Sequence, residues 1–251
     1  MRWSRVFATS LLIGFVAAPA MAQSEPELLS SLQAALACAP PPTLEGAAPD
    51  ALRIIGVQDA TSRGAYGPPD LLVIGGGSQA GVQLGQQFFI RRPIRFGTGG
   101  TRHRGSIRTV GWIRIAAVND TTAIATIEHV CDAIFQNDYL APFAMPVLPA
   151  EAQRVETTGE LDFTSLSRLV VGNENRGTAG TGDFMLMDHG GDQGITAGKR
   201  FAIYRDVGIR GMPLAALGEA IVMTVGTDMS LVLINSARAA VHTGDFLVPR
   251  K

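Results

Sequence analysis

The chain carries one pattern twice. At an offset of 113 residues, Gly77, Gly81, Gly85, Phe88, Ile90 and Arg92 fall on Gly190, Gly194, Gly198, Phe201, Ile203 and Arg205. The register runs back through Arg63-Gly64 on Arg176-Gly177 and Asp70 on Asp183. After a length change in one loop the offset becomes 107. Gly111 then meets Gly218, and Asp138-Tyr139-Leu140-Ala141-Pro142 meets Asp245-Phe246-Leu247-Val248-Pro249. Matching in order over so long a stretch predicts two copies of one supersecondary unit. It also supplies an internal control: a residue both copies keep serves the shared frame, and one that only one copy carries is free to serve function.

Each copy reads as β-structure. Apolar runs at 52–57 and 71–74 match runs at 169–171 and 184–187, each predicting a strand. Glycine turns at 77–81 and 190–194 then lead into 87–91 and 200–204, where Phe88/Ile90 and Phe201/Ile203 share one face by period-two alternation. Longer strands are expected at 112–118 and 220–225, turned by Asn119-Asp120 or Gly226-Thr227 into 123–127 or 231–234. The Asp-aromatic-Leu-x-Pro motif forms a last strand. Short strands, small turns and no long helical period predict an all-β fold of two tandem, duplicated small β-barrels, SH3-like or similar. The first copy is expected over 51–142 and the second over 166–251. Prolines, glycines and acids make 143–165 a linker with room for a short helix. Residues 23–50 read as an N-terminal helix and Pro-rich linker. A capping box at 24–27 opens the helix, Leu28, Leu32 and Leu36 share a face, and Pro40-Pro41-Pro42 stops it. That helix is expected against the first barrel.

Residues 1–22 carry Arg2 and Arg5, a mostly apolar run at 6–18, and Ala20-Met21-Ala22 before Gln23. This is the pattern of a secretory signal peptide cleaved after Ala22, and it predicts an exported, periplasmic protein. The alternative, a lipoprotein acylated at Cys38, would rest on the poor lipobox Ala35-Leu36-Ala37-Cys38. No later run has the length of a spanning segment, so no transmembrane segment is expected after cleavage. Losing Arg2 and Arg5 would move the net charge from −1 to near −3, which offers no basic field for nucleic acid. An oxidising compartment favours a Cys38–Cys131 disulfide over two buried free thiols. Arg238 stands where the first copy has Cys131, so the bridge would belong to the first half alone.

The motif Gly190 to Gly194, Gly198, Phe201, Ile203, Leu217-Gly218 and Gly244-Asp245-Phe246-Leu247-Val248-Pro249 resembles a β-barrel domain of bacterial envelope proteins. In that family the barrel accompanies LysM peptidoglycan-binding modules, and a related barrel closes flagellar assembly protein T. The resemblance covers both copies and implies an envelope role. No LysM-like segment precedes the barrels here, so peptidoglycan binding does not carry over with it.

Most chemistry-like motifs have an architectural explanation. The glycine run at 75–81 lacks the helix N-terminus a phosphate loop needs. His103, His129, His189 and His242 occupy no common position in the copies and have no metal spacing. Ser78 sits in a turn, yet its counterpart is Gly191 and no Gly-x-Ser-x-Gly occurs. Arg63/Arg176 and Asp70/Asp183 suit hairpin bracing, and Asp138/Asp245 suit a turn before the last strand. No cofactor, metal or catalytic set is expected. The uneven feature is a basic, flexible loop over 91–108 with Arg91, Arg92, Arg95, Arg102, Arg104 and Arg108 and no acid, while its counterpart in the second copy carries Asp206. Such a loop either grips anionic groups or is a solvated hairpin. The expected function is a non-catalytic envelope binding or assembly module. Its contact surface would be the arginine loop plus the groove between barrels, and its partners peptidoglycan, anionic envelope lipid or another envelope protein. The alternatives are a periplasmic hydrolase with a cleft between the barrels, or a subunit of a secretion, polysaccharide-export or flagellar assembly.

Overall fold

A computed structural model describes residues 30–43, 50–59, 63–94, 106–153 and 159–250. The leader at 1–22, the capping box at 24–27, the glycine stretch 97–101, and Arg95, Arg102, His103 and Arg104 lie outside the described residues, as does 154–158 of the expected linker.

Strands β1 (Ile54–Val57), β2 (Leu71–Ile74), β3 (Gln87–Ile94), β4 (Ser106–Val118), β5 (Ala123–Val130) and β6 (Tyr139–Pro142) form one antiparallel sheet in the order β1-β2-β5-β4-β3-β6. The second half supplies β7 (Ser167–Gly172), β8 (Thr178–Ala179), β9 (Phe184–Met187), β10 (Arg200–Arg205), β11 (Ala215–Val225), β12 (Ser230–Ala237), β13 (Val241–His242) and β14 (Phe246–Pro249). Six of these close a barrel that, started from β7, reads β7-β9-β12-β11-β10-β14, the same succession as the first sheet. The remaining pair, β8 with β13, joins Ala179 to Val241, and at the two sequence offsets Tyr66 bridges Ile134.

Closure differs between the halves. In the second, β14 and β7 form a ladder through Phe246–Arg168 and Leu247–Ser167. In the first, an Arg53–Tyr139 bridge and single amide bonds, such as Ile54 N to Asp138 O at 3.0 Å and Leu140 N to Leu52 O at 2.8 Å, join the sheet edges. The two β-units are therefore one closed six-stranded barrel and one six-stranded sheet whose edges meet without a ladder. Period-two alternation fills both interiors, with Phe88, Ile90, Ile113 and Ile115 buried in one core and Phe201, Ile203, Val222 and Val232 in the other.

The glycine turns are close-contact points. A Cβ on Gly77 would lie 2.1 Å from the Asn119 carbonyl oxygen, and one on Gly190 2.5 Å from that of Thr227. Each opens a single 3-10 turn, Ser78–Ala80 or Gly191–Gln193, that ends on a left-handed glycine, Gly81 at φ 77° or Gly194 at φ 72°. The turn amides are already used. Ser78 and Gln79 donate to Asn119 and Asp120 at 2.9 and 3.1 Å, and Gly191 and Asp192 to Gly226 and Thr227 at 2.9 and 3.0 Å. A phosphate would find these donors occupied.

A second shared device closes each unit. Arg92 Nε and Arg92 Nη2 donate to the Asp138 carboxylate at 2.7 and 2.6 Å, and Nη2 also to Ala133 O at 2.7 Å. Arg205 repeats the arrangement on Asp245, at 2.7 Å from both nitrogens, with Ala240 O at 2.8 Å. Both carboxylates also accept a turn amide, from Phe135 at 2.9 Å and from His242 at 2.7 Å. The hydrogen bond to Asp245 holds the Arg205 guanidinium above the usual arginine range, against some desolvation.

Helix α1 (Ser31–Cys38) begins at N-cap Ser30 with a capping box. Gln33 N donates to Ser30 Oγ at 3.2 Å, and Ser30 N to the Gln33 side chain at 3.1 Å. The helix packs against the first half, as the sequence predicts, and also against the second. Leu36 and Ala39 join Val171, Phe184, Leu186, Ile221 and Met223 of the second half, while Ala37 joins Phe89 and Trp112 of the first. Cys38 at its end is bonded to Cys131, 93 residues away, with the Cα atoms 5.6 Å apart. Residues 143–149 then cross without regular structure to a 3-10 turn at Ala150–Gln153, where the sequence allows a short helix.

Candidate functional site

Three of the six sequence-selected arginines fall among the described residues, and the structure puts them on paired strands. Strand β3 runs to Ile94 and β4 starts at Ser106, so Arg91 pairs with Thr109, Arg92 with Arg108, and Pro93 with Ile107. Residues 91–94 and 106–108 of the expected flexible loop thus belong to paired strands, and 95–105 lie outside the described residues. Arg92 is held in the Asp138 clamp. Arg108 bonds Asp132 and reaches Glu174 O at 3.1 Å, tying the two halves together. Burial alone would raise the Asp132 carboxyl, but the Ala133 amide and Arg108 outweigh it and hold the group below the usual carboxylate range.

Arg91 is different. Its guanidinium lies 5.2 Å from the Phe89 ring centroid, and its Nε is buried with no hydrogen-bond partner among the described residues. Desolvation pushes it below the usual arginine range, while the neighbouring Tyr139 works against the shift. The sequence control separates the neighbours on the strand: Arg92 has Arg205 as its counterpart, whereas Arg91 faces Tyr204.

Arg91 stands on the wall of a groove of about 440 Å³ between the halves. The end of α1 and the proline tract form one side, residues 144–149 another, and Met223 to Val225 with Leu231 the floor from the second half. Among the described lining side chains Arg91 alone is charged, and the Thr109 hydroxyl on the same wall donates to Ala39 O at 3.2 Å. At the rim, Met145 and Val147 are 45% and 81% exposed.

Beneath the groove lies an aromatic cluster particular to the first half. Phe89 meets Trp112 edge-on at 6.4 Å and Phe143 at 4.6 Å, and Trp112 stacks on His129 at 4.2 Å. The counterparts of Phe89 and Trp112 are Ala202 and Glu219. The outer face beside the groove is thus built from side chains that differ at the matching positions of the second half. Sequence reasoning passed over Phe89 and Trp112, although the same offsets mark them.

The remaining candidates have local roles. Arg63 pairs with Asp70 and Asp59, both at 2.9 Å, while Arg176 bonds the Asn173 carbonyl at 3.3 Å. His189 contacts Asp188 at 2.8 Å, and that carboxylate also accepts from Arg168 N. Among the described residues, the one group of three metal-type ligand atoms within 4.8 Å of one another is Cys38, His129 and Cys131. Its sulfurs are bonded to each other, and a metal needs thiolates. The hairpin loop of the second half exposes Val207, Ile209 and Met212. No described helix is long and apolar enough to cross a membrane. No family model and no curated protein matches the chain.

Proposed function

We propose that the chain is an exported, non-catalytic binding or assembly module of the bacterial cell envelope. It is built from two duplicated SH3-like β-units of the kind that accompanies LysM modules. Its contact surface is the groove between the units together with the basic end of the β3–β4 hairpin. The observation that carries the reading is Arg91, the one charged side chain among the described residues lining a mainly apolar groove. A wall of this kind, apolar with one fixed polar group, suits holding a partner. The equal strand succession in the two halves supports the duplication, and the signal-like leader supports the periplasm as its place.

Arg92 and Arg108 are spent on Asp138, Asp132 and Glu174, so the binding set narrows to Arg91, Arg95, Arg102 and Arg104. Replacing these four with serine should abolish retention of the protein on cell-envelope fractions at physiological salt and leave the melting temperature unchanged. Retention equal to that of the parent protein would remove the arginine surface from the account.

A further inference from the structure

Resting on the groove as the contact surface, we infer that it takes a single-chain anionic amphiphile, a long-chain carboxylate, with the alkyl tail along the apolar wall and the head group on Arg91. The volume of about 440 Å³ lies within the roughly 300–1,000 Å³ of small-molecule sites. That is room for one chain and a compact head, not for a two-chain lipid. Met145 and Met223 line the groove, and their unbranched thioethers adapt to a flexible tail. The exposed Met145 and Val147 give it an apolar mouth.

The head-group chemistry follows from Arg91. A guanidinium presents a planar fork of donors that matches a carboxylate with two parallel hydrogen bonds. Arg91 is the one charged side chain among the described residues that line the groove. A carboxylate supplies the opposite charge and acceptors for its guanidinium donors. A neutral chain satisfies the wall alone, and a cationic one meets a like charge. Tyr204 stands at the corresponding place in the second half, so the shared frame does not require Arg91.

Calorimetric titration of the purified full chain with dodecanoate, below its micelle concentration, tests the inference. Dodecanoate should bind at one site. Decanoate, two methylenes shorter, should bind roughly 15-fold more weakly, since each buried methylene is worth about a factor of four. Arg91→Gln should weaken dodecanoate by at least about tenfold, the loss of a charge-assisted pair, with decanoate still weaker than dodecanoate. Ala197→Trp, at an exposed position on the groove lining, should block both acids without lowering the melting temperature. Dodecyltrimethylammonium should not compete. Equal binding of the cation, equal binding to Arg91→Gln, or capture by phosphatidylglycerol vesicles without any dodecanoate binding would overturn the ligand class. Such a result leaves the envelope reading standing if retention still depends on the arginines. Dodecanoate binding without arginine-dependent retention removes the envelope role instead.

Discussion

Replacing both Cys38 and Cys131 with serine should lower the stability of the chain by about 4.5 kcal/mol, the loop-closure entropy of a bridge spanning 93 residues. For a chain of this length that corresponds to a fall in melting temperature of roughly 10–15 °C. The loss should be felt first at α1. This helix has only 8 residues, too few to persist alone, and its packing on two sheets is secured at its C-terminal end by the bridge. Trp112 sits in the cluster that contains both cysteines, so its emission should report the release of the helix before the second-half barrel melts. Changing both cysteines avoids a reactive single thiol. A double variant that melts with the parent would show that the helix is held by packing alone.

Asp138→Ala should cost about 3–5 kcal/mol, and Asp245→Ala a similar amount, because each leaves a partly buried guanidinium without its carboxylate. The Asp138 and Asp245 side chains are only 3% and 4% exposed, while the arginines left behind, at 22% and 28%, keep some access to solvent, which places the loss toward the lower end of that range. Each change also frees a turn amide, that of Phe135 or His242. The double variant Arg92→Met/Asp138→Ala should recover a large part of the Asp138→Ala deficit, since replacing both charges is far cheaper than orphaning one. Denaturant titration of the four proteins checks this. A loss below about 1 kcal/mol for either aspartate variant would place the clamps among weak surface pairs.

The frame was readable in the sequence because its constraints are local. Gly77 and Gly190 must lack a Cβ to pass a neighbouring carbonyl, and alternation at Phe88/Ile90 and Phe201/Ile203 announces a buried face. The β3–β4 hairpin was read too short because arginines, a proline and glycines resemble a loop. Pairing there instead runs through Arg91–Thr109, Arg92–Arg108 and Pro93–Ile107, with Ile107 and Thr109 each buried to 2% exposure. The clamps were half visible. Arg92 matched Arg205 and Asp138 matched Asp245, but the two matches lay at different offsets, and only the folded sheet brings residues 46 positions apart into one ion pair. The place of α1 was beyond any local pattern, because Leu36, Ala37 and Ala39 are apolar toward both sides and only tertiary packing assigns each a partner. Arg91 is one of six arginines in the sequence pattern, and the unequal fates of those described depend on partners far along the chain.

On the proposed reading, residues shared by the two units hold the frame and residues peculiar to the first carry the binding. Adjacent arginines on one strand allow a direct comparison. Arg91→Gln and Arg92→Gln should be measured side by side for melting temperature and for retention on envelope fractions well below both transitions. The account predicts that Arg91→Gln keeps the parent's melting temperature and loses most of its retention, while Arg92→Gln melts several degrees lower and, still folded, is retained. An Arg91→Gln protein that is retained like the parent, or that melts like Arg92→Gln, would contradict it.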